Sequence, residues 1–137
     1  MTRVRGLNHV TLAVADVDRA VAFYRDLLGF RLRALWPEGA YLEAGPLWLC
    51  LSHDPAAAGQ TRADYTHIAF DVAAEAFDEL ASQVAQAAPI WRENRSEGKS
   101  LYVLDPDGHK IELHDGSLES RLAAYRRDPC KGVTVFD

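Results

Sequence analysis

Alternation of apolar and polar residues from position 7 to 14 predicts that the chain begins with a half-buried β-strand. Helical spacing follows, with Asp16 or Asp18 as the N-terminal cap and Gly29 at the C-terminal end. The apolar positions of this helix are Val17, Val21, Tyr24 and Leu28. Three strand-like runs come next, FRLRALW, AYLEA and LWLCLS. The predicted order of elements is therefore β-α-β-β-β.

The same order returns in the second half of the chain. Alternation runs from position 65 to 72, and the helix that follows ends at Pro89. The apolar face of this helix carries Phe77, Leu80, Ala81 and Val84. The strand-like runs PIWRE, SLYVL and HKIELH complete the copy. His9 and His67 occupy corresponding places in the two copies, so the pair of histidines belongs to the repeat.

The repeat predicts one α+β domain over residues 1–137, built from two βαβββ modules. The modules cover about 4–53 and 64–115, residues 54–63 link them, and a serine-capped C-terminal helix covers about 117–128. One helix covers one face of each small sheet and leaves the other face open. Two such modules side by side would form a curved mixed sheet, and its concave face could hold a ligand.

Sorting the strand residues by parity directs three polar side chains to this open face. His9 alternates with leucine and valine neighbours that should face the helix, and His67 does the same in the second copy. Glu112 lies between two apolar neighbours and should share the open face. Two imidazoles and a carboxylate suit a divalent metal that keeps coordination positions open. Three polar residues on a solvated sheet face would give the same pattern, which alone does not decide between these interpretations.

The remaining histidines are weaker candidates for metal binding. His114 shares the parity of Glu112 and is a rival ligand, although it lies near the end of the strand. His109 follows the turn sequence DPDG and is expected to be exposed.

Composition excludes several classes of protein. With 15 Lys and Arg against 20 Asp and Glu, the net charge of −5 argues against a nucleic-acid binder held by bulk charge. We also expect no membrane span and no signal peptide, because the sequence shows no apolar run of the required kind. Cys50, in an apolar run, and Cys130 are the two cysteines, which favours a reduced, cytoplasmic protein without disulfides.

Several stretches resemble a known family: GLNHVTLAV, FYRDLLGF, GAYLEAGPLWLCLS, DYTHIAF, NRSEG and YVLDPDGHKIELH. The chain is similar to the vicinal-oxygen-chelate superfamily of glyoxalase-like proteins, and more closely to its fosfomycin-resistance glutathione transferases. The resemblance implies a divalent metal, usually manganese, on His9, His67 and Glu112. It implies a homodimer in which the N-terminal module of one chain pairs with the C-terminal module of the other. His9 would then come from one chain, and His67 and Glu112 from its partner.

The resemblance also implies a reaction, in which the glutathione sulfur attacks an epoxide carbon of fosfomycin and opens the ring. Thr11 would hydrogen-bond the epoxide oxygen and Tyr41 the sulfur. The implied substrate-binding residues are Trp48, Tyr65, Arg92, Ser96, Ser100, Tyr102 and Arg121. The implied potassium loop uses Asn94, Ser96, Glu97, Gly98 and Ser100. The family has a lysine in the place of Arg92 and none in the place of Lys99, which leaves open the role of Arg92 and the strength of potassium binding.

Four other functions remain open from the sequence, one of which is a transferase of the same superfamily that uses a thiol other than glutathione. A hydrolase of the same superfamily would need a carboxylate base, and relatives of that kind place a glutamate where this chain has Gly39. We expect Gly39 to leave room for a sulfur, although the neighbouring Glu38 could serve as a base if this stretch is a loop. A metal-free drug-binding protein and another metal reaction on the same fold, such as catechol cleavage, are the other two. The His9, His67 and Glu112 set argues against the metal-free binding protein. The NRSEG loop with Arg121 argues against the other metal reaction.

Overall fold

Two compact units make up the chain in the computed structural model, which describes residues 3–59 and 62–137. The first unit comprises Met1–Tyr65 and Leu104–His109, and the second comprises Thr66–Val103 and Lys110–Asp137. No helix in the described part of the chain is long and apolar enough to cross a membrane.

The first unit contains a four-stranded sheet in the order β1-β4-β3-β2. Its strands are β1 (Val10–Val14), β2 (Arg31–Trp36), β3 (Gly39–Ala44) and β4 (Leu47–His53). Strands β1 and β4 are parallel, whereas β2–β3 and β3–β4 are antiparallel. One face of the sheet contributes buried side chains to the core of this unit, among them Leu12, Val14, Leu42, Leu49 and Leu51.

The first helix begins as predicted but changes its winding. Helix α1 (Val17–Val21) is capped by Asp16, whose carboxylate accepts a hydrogen bond of 3.0 Å from the backbone N–H of Arg19. The chain then continues as a π-helix over Ala22–Leu27. Two adjacent aromatic residues of this segment, Phe23 and Tyr24, are both buried. No feature of the sequence indicated the wider winding.

The turn sequence DPDG is held by the core of the first unit instead of projecting into solvent. Asp105 and Asp107 are buried, and the hydroxyl of Tyr24 donates to Asp105 Oδ2 at 2.7 Å. Asp107 Oδ1 accepts from the backbone N–H of Ala15 at 2.8 Å. The expectation of an exposed His109 is wrong, because its Nε2–H donates to a backbone carbonyl of β1 at 2.7 Å. Backbone and side-chain partners that are distant in sequence therefore satisfy this polar segment.

A second sheet, in the order β5-β8-β7-β6, lies in the second unit. Its elements are β5 (Ile68–Asp71), α2 (Ala74–Ala87), β6 (Ile90–Arg92), β7 (Ser100–Leu104), β8 (Lys110–His114) and α3 (Leu118–Arg127). Strands β5 and β8 are parallel, and β6 and β7 are antiparallel. Helix α2 buries Phe77 and Val84 of the predicted apolar face. Ser117 caps α3 as predicted, accepting from the N–H of Ser120 at 3.0 Å.

These elements confirm the predicted α+β class with two βαβββ modules. Both first strands begin later than the alternation indicated, at Val10 and Ile68, so His9 and His67 lie just before the strands. Residues 60 and 61 of the predicted linker lie outside the described residues. The homodimer and the module bounds stay predictions.

Candidate active site

The open face of the first sheet carries the residues of the first module for which the sequence predicted a role. Thr11, Cys50 and Tyr41 lie directly opposite one another in the strand register, so their side chains share one face. Thr11 and Tyr41 are exposed, and Cys50 is a buried free thiol between them. The alternate residues of β1, Leu12 and Val14, are buried on the other face.

A row of aromatic rings runs along this face from His9. The rings of His9 and Trp48 have centroids 4.5 Å apart, Trp48 and Tyr41 are 5.2 Å apart, and Tyr41 and Trp36 are 4.8 Å apart. His9 Nδ1 lies 2.7 Å from Asn8 Oδ1, an atom that only accepts. His9 therefore carries its hydrogen on Nδ1 and presents the lone pair of Nε2, the form that binds a metal.

In the second unit, the structure brings His67 and Glu112 together. His67 Nε2 lies 3.0 Å from Glu112 Oε1, and Glu112 is 6% exposed. Metal–nitrogen and metal–oxygen bonds in proteins are about 2.1 Å long, so two ligands at a right angle are about 3 Å apart. The spacing of these two atoms thus fits adjacent ligands of one metal ion.

The second oxygen of Glu112 is bound by a serine. Ser100 Oγ donates to Glu112 Oε2 at 2.6 Å, and the same hydroxyl lies 2.7 Å from His114 Nδ1. His114 Nε2 lies 3.4 Å from Nη2 of Arg121. A continuous series of polar contacts therefore joins the carboxylate to the arginine of α3. On the sequence alone His114 was a weak rival ligand, and its parity with Glu112 was the only signal of this position.

Arg121 and Arg92 supply positive charge in this unit. Arg121 Nε donates to Glu97 Oε1 at 3.2 Å, and its Nη2 lies 3.4 Å from Ser96 Oγ. The guanidinium of Arg92 lies 5.9 Å from the centre of the Tyr102 ring, within the range of a cation–π contact. A cleft of about 280 Å³ is lined by Arg121, Ser96 and Glu97 together with residues of α3 and the C-terminal segment.

The predicted potassium loop forms a closed turn stabilised by its own asparagine. Asn94 Nδ2 donates to the carbonyl of Gly98 at 2.8 Å, and Asn94 Oδ1 accepts from the N–H of Ser96 at 3.0 Å. Gly98 has a φ of +79°, which favours glycine. The ammonium of Lys99 donates to Asp78 of α2 at 2.8 Å, and this hydrogen bond raises the pKa of Lys99. The additional positive charge of Lys99 is therefore paired with a carboxylate. The loop itself offers the oxygen donors that hard cations prefer.

The surroundings of Gly39 differ from the expectation that this glycine leaves room for a sulfur. Gly39 is buried, and a Cβ added there would lie 2.7 Å from the Trp36 ring and 2.6 Å from the carbonyl oxygen of Leu51. The indole occupies that space. The carboxylate of Glu38 lies 3.0 Å from His53 Nδ1, and both residues line a cleft of about 540 Å³ in the first unit.

The predicted site residues thus form two groups. The first unit holds His9, Thr11, Tyr41, Trp48 and the half-exposed Tyr65, and the second unit holds the others. Among residues 3–59 and 62–137, no three His, Cys, Asp or Glu side chains of this single chain meet the spacing of a metal site. His67 and Glu112, two of the three predicted metal ligands, lie together in the second unit.

The chain belongs to the Glyoxalase/Bleomycin resistance protein/Dioxygenase superfamily, whose sequence profile matches residues 6–113. It is 52% identical to the glutathione transferase FosA of Serratia marcescens, over 95% of this chain and 94% of that protein. It is 38% identical to the metallothiol transferase FosB of Shouchella clausii, over 90% and 89% of the two chains. A mutant of the fosfomycin resistance protein FosX of Listeria monocytogenes, crystallised with Mn(II) and 1S,2S-dihydroxypropylphosphonic acid, has a similar structure, with a TM-score of 0.78 at 30% identity. That similarity covers 89% of this chain and 98% of the FosX chain.

Proposed function

We propose that the protein is a manganese-dependent glutathione transferase that opens the epoxide of fosfomycin and so gives resistance to the antibiotic. The observation that carries the proposal is the His67–Glu112 pair, joined through Ser100 and His114 to Arg121. This arrangement sets a metal-binding pair beside a cation for an anionic substrate. The 52% identity to a glutathione transferase supports glutathione as the co-substrate.

The metal would be held by His67 and Glu112 of one chain and by His9 of a second copy. This is why we propose a homodimer, in which each active site takes residues from both chains. When bound, the metal acts as a Lewis acid on the epoxide oxygen and stabilises the negative charge that develops there. The hydrogen bond from His9 Nδ1 to Asn8 leaves the lone pair of Nε2 available to bind the metal.

The phosphonate of the substrate would be bound by Arg121 and Arg92, with hydroxyl donors from Ser96 and Tyr102. A guanidinium can present two N–H groups to two phosphonate oxygens, which fixes the orientation of the anion as well as its position. Ser100 Oγ donates to Glu112 at 2.6 Å, so this serine would orient the carboxylate as well as bind the substrate. The Trp48 and Tyr65 side chains would form part of the pocket wall.

Tyr41 and Thr11, exposed on the open face of the first sheet, would act on the reacting atoms. Tyr41 would hydrogen-bond the glutathione sulfur while a carbon–sulfur bond forms at the epoxide. The carbon–oxygen bond breaks with its electron pair on oxygen, to which Thr11 would donate a hydrogen bond. The oxygen then takes a proton from solvent, and the thiol has lost one, so the product is a β-hydroxy thioether.

The surroundings of Glu38 favour thiol addition over hydrolysis. Glu38 is the candidate base that the sequence suggested. Water is a poor nucleophile at neutral pH and needs a carboxylate beside the epoxide carbon. Glu38 is instead paired with His53, and Gly39 lies under the Trp36 indole. A thiol is partly ionised near neutral pH and needs less assistance.

We also place potassium at the Asn94–Ser100 loop and the enzyme in the cytoplasm. The carbonyl groups of the loop, with Glu97 and Ser100, supply oxygen donors close to the proposed phosphonate site. A cytoplasmic location suits a thiol co-substrate and two free cysteines.

The test is consumption of fosfomycin by the purified protein with manganese and potassium, with and without glutathione. We expect a glutathione adduct in one-to-one ratio to the fosfomycin consumed, identified by mass spectrometry. A diol formed equally fast without thiol, and lost in Glu38→Gln, would instead identify an epoxide hydrolase.

A further inference from the structure

We propose that His114 is the residue that positions Arg121 for anion binding, an inference that rests on the proposed function. His114 ends β8 two residues after Glu112, and its side chain is 14% exposed. Its Nδ1 lies 2.9 Å from the carbonyl oxygen of Lys99 and 2.7 Å from Ser100 Oγ. Its Nε2 lies 3.4 Å from Arg121 Nη2. Both ring nitrogens thus contact groups of the proposed anion site.

The partners of the ring define which nitrogen carries the hydrogen. The Lys99 carbonyl can only accept, so Nδ1 must be the donor. The Arg121 guanidinium can only donate, so Nε2 must be the acceptor. Ser100 can then accept from Nδ1–H while its own O–H donates to Glu112. Every hydrogen bond in this series runs in one direction, from the guanidinium to the carboxylate.

The backbone is shaped to hold this ring in one place. A Cβ added at Gly116 would lie 2.5 Å from His114 Nε2, and a Cβ added at Gly98 would lie 2.9 Å from His114 Cε1. Real Cβ atoms do not approach other atoms this closely, so the ring could not stay in place beside an alanine at either position. Gly116 does not have a positive φ, so its requirement is for space rather than for backbone conformation. Two glycines from separate segments therefore form a slot for the imidazole.

This slot fixes the edge of the guanidinium that faces the substrate. Arg121 Nε donates to Glu97 Oε1, and Nη2 also contacts Ser96 Oγ at 3.4 Å and the carbonyl oxygen of Glu97 at 3.5 Å, so the loop holds one side of the group. The acceptor on His114, 3.4 Å from Nη2, is the contact from β8, and contacts from both the loop and the strand together define the plane of the guanidinium. Because bidentate binding of a phosphonate depends on that plane, loss of His114 should weaken anion binding while the metal ligands stay in place.

The experiment compares His114→Ala, His114→Asn and His114→Gln, each loaded with manganese, by calorimetric titration with methylphosphonate. An asparagine amide reaches about the position of Nδ1, and a glutamine amide reaches about that of Nε2, so only the glutamine can bind Arg121. We expect affinity to fall about tenfold in the alanine and asparagine variants, as for one lost hydrogen bond to a charged group. Affinity should recover in His114→Gln. Manganese affinity, from electron paramagnetic resonance, should not change, and the KM for fosfomycin should rise in parallel with the loss of methylphosphonate binding.

A double-mutant cycle tests the slot itself. Gly116→Ala should weaken methylphosphonate binding in the otherwise unchanged protein, since it displaces the ring, and should add little in the His114→Ala background. Glu97 Oε1 would lie 3.1 Å from the new methyl group in both backgrounds, so this smaller effect cancels in the cycle. His53→Ala, which removes a histidine of the first unit, is the control for loss of an imidazole.

The inference is overturned if His114→Ala binds methylphosphonate normally, if its manganese affinity falls by the same factor, or if the unmodified protein binds no methylphosphonate. Should the alanine variant fail to fold, equal affinity of the asparagine and glutamine variants has the same meaning. A protein that binds methylphosphonate through His114 but does not turn over fosfomycin would contradict the proposed function and leave this inference intact.

Discussion

Removing the Ser100 hydroxyl is expected to weaken manganese binding although Ser100 is not a proposed metal ligand. Glu112 is buried, and its two oxygens have separate partners, His67 Nε2 at 3.0 Å and Ser100 Oγ at 2.6 Å. In Ser100→Ala the second oxygen loses its donor, so the carboxylate is free to rotate away from the ligand geometry. Loss of a group that orients a metal ligand typically costs about 10- to 100-fold in metal affinity.

Two reference variants define the scale of this effect. His67→Ala removes a ligand and should weaken manganese binding more severely than Ser100→Ala. Ser96→Ala removes a hydroxyl of the same kind from the neighbouring loop, where it contacts Asn94 and Arg121, and manganese affinity should not change. The free-ion signal in electron paramagnetic resonance gives the dissociation constant of each variant. Unchanged affinity in Ser100→Ala, with the carboxylate still intact, would refute the role assigned to this hydrogen bond.

Three further predictions concern the fold, the assembly and the substrate. Tyr24→Phe should lower the free energy of unfolding by about 1.5–3 kcal/mol, the contribution of a hydrogen bond to the charged Asp105. Burial, and then the charge of Asp105, raise the pKa of Tyr24. The stability that this tyrosine contributes is therefore fully present below its unfolded pKa and is lost as pH rises through its folded pKa. Alkaline unfolding curves should show this loss in the unmodified protein and not in Tyr24→Phe. His9→Ala and Glu112→Ala, each inactive, should recover activity when unfolded and refolded together; heterodimers without activity would exclude a site shared between chains. Arg121→Ala should lower kcat/KM for fosfomycin by an amount that corresponds to about 1.5–3 kcal/mol of lost transition-state stabilisation. Normal kinetics in the folded variant would contradict the role of Arg121 at the phosphonate.

Periodicity was sufficient to predict the order of the elements, because burial of one face requires a repeat of two in strands and of nearly four in helices. It could not locate the first residue of each leading strand. His9 and His67 continue the alternation but precede the residues that pair with β4 and β8. Alternation reports which way side chains point, whereas strand assignment depends on hydrogen bonds to another part of the chain.

The candidate site was predictable where parity decides and unpredictable where tertiary contacts decide. Parity directed His67 and Glu112 to one face, and the two side chains meet there at 3.0 Å. The slot around His114 depends on glycines of two separate segments, whose proximity no local pattern indicates. In the same way, the DPDG turn suggested an exposed His109, but its Nε2–H donates to the carbonyl of Ala13, and the buried aspartates of the turn accept from Tyr24 and Ala15. The position of the Trp36 indole over Gly39 was likewise not predictable from any local pattern in the sequence.

In the proposed function, this chain joins glutathione to fosfomycin at a site built on His67 and Glu112. The most direct test of this function is ³¹P nuclear magnetic resonance of fosfomycin incubated with the manganese-loaded protein and glutathione, with mass spectrometry of the product. We expect complete conversion to a single glutathione adduct, no conversion when glutathione is omitted, and none with Glu112→Ala. Unchanged fosfomycin in the full mixture, or conversion at the same rate without glutathione, would contradict the proposed function.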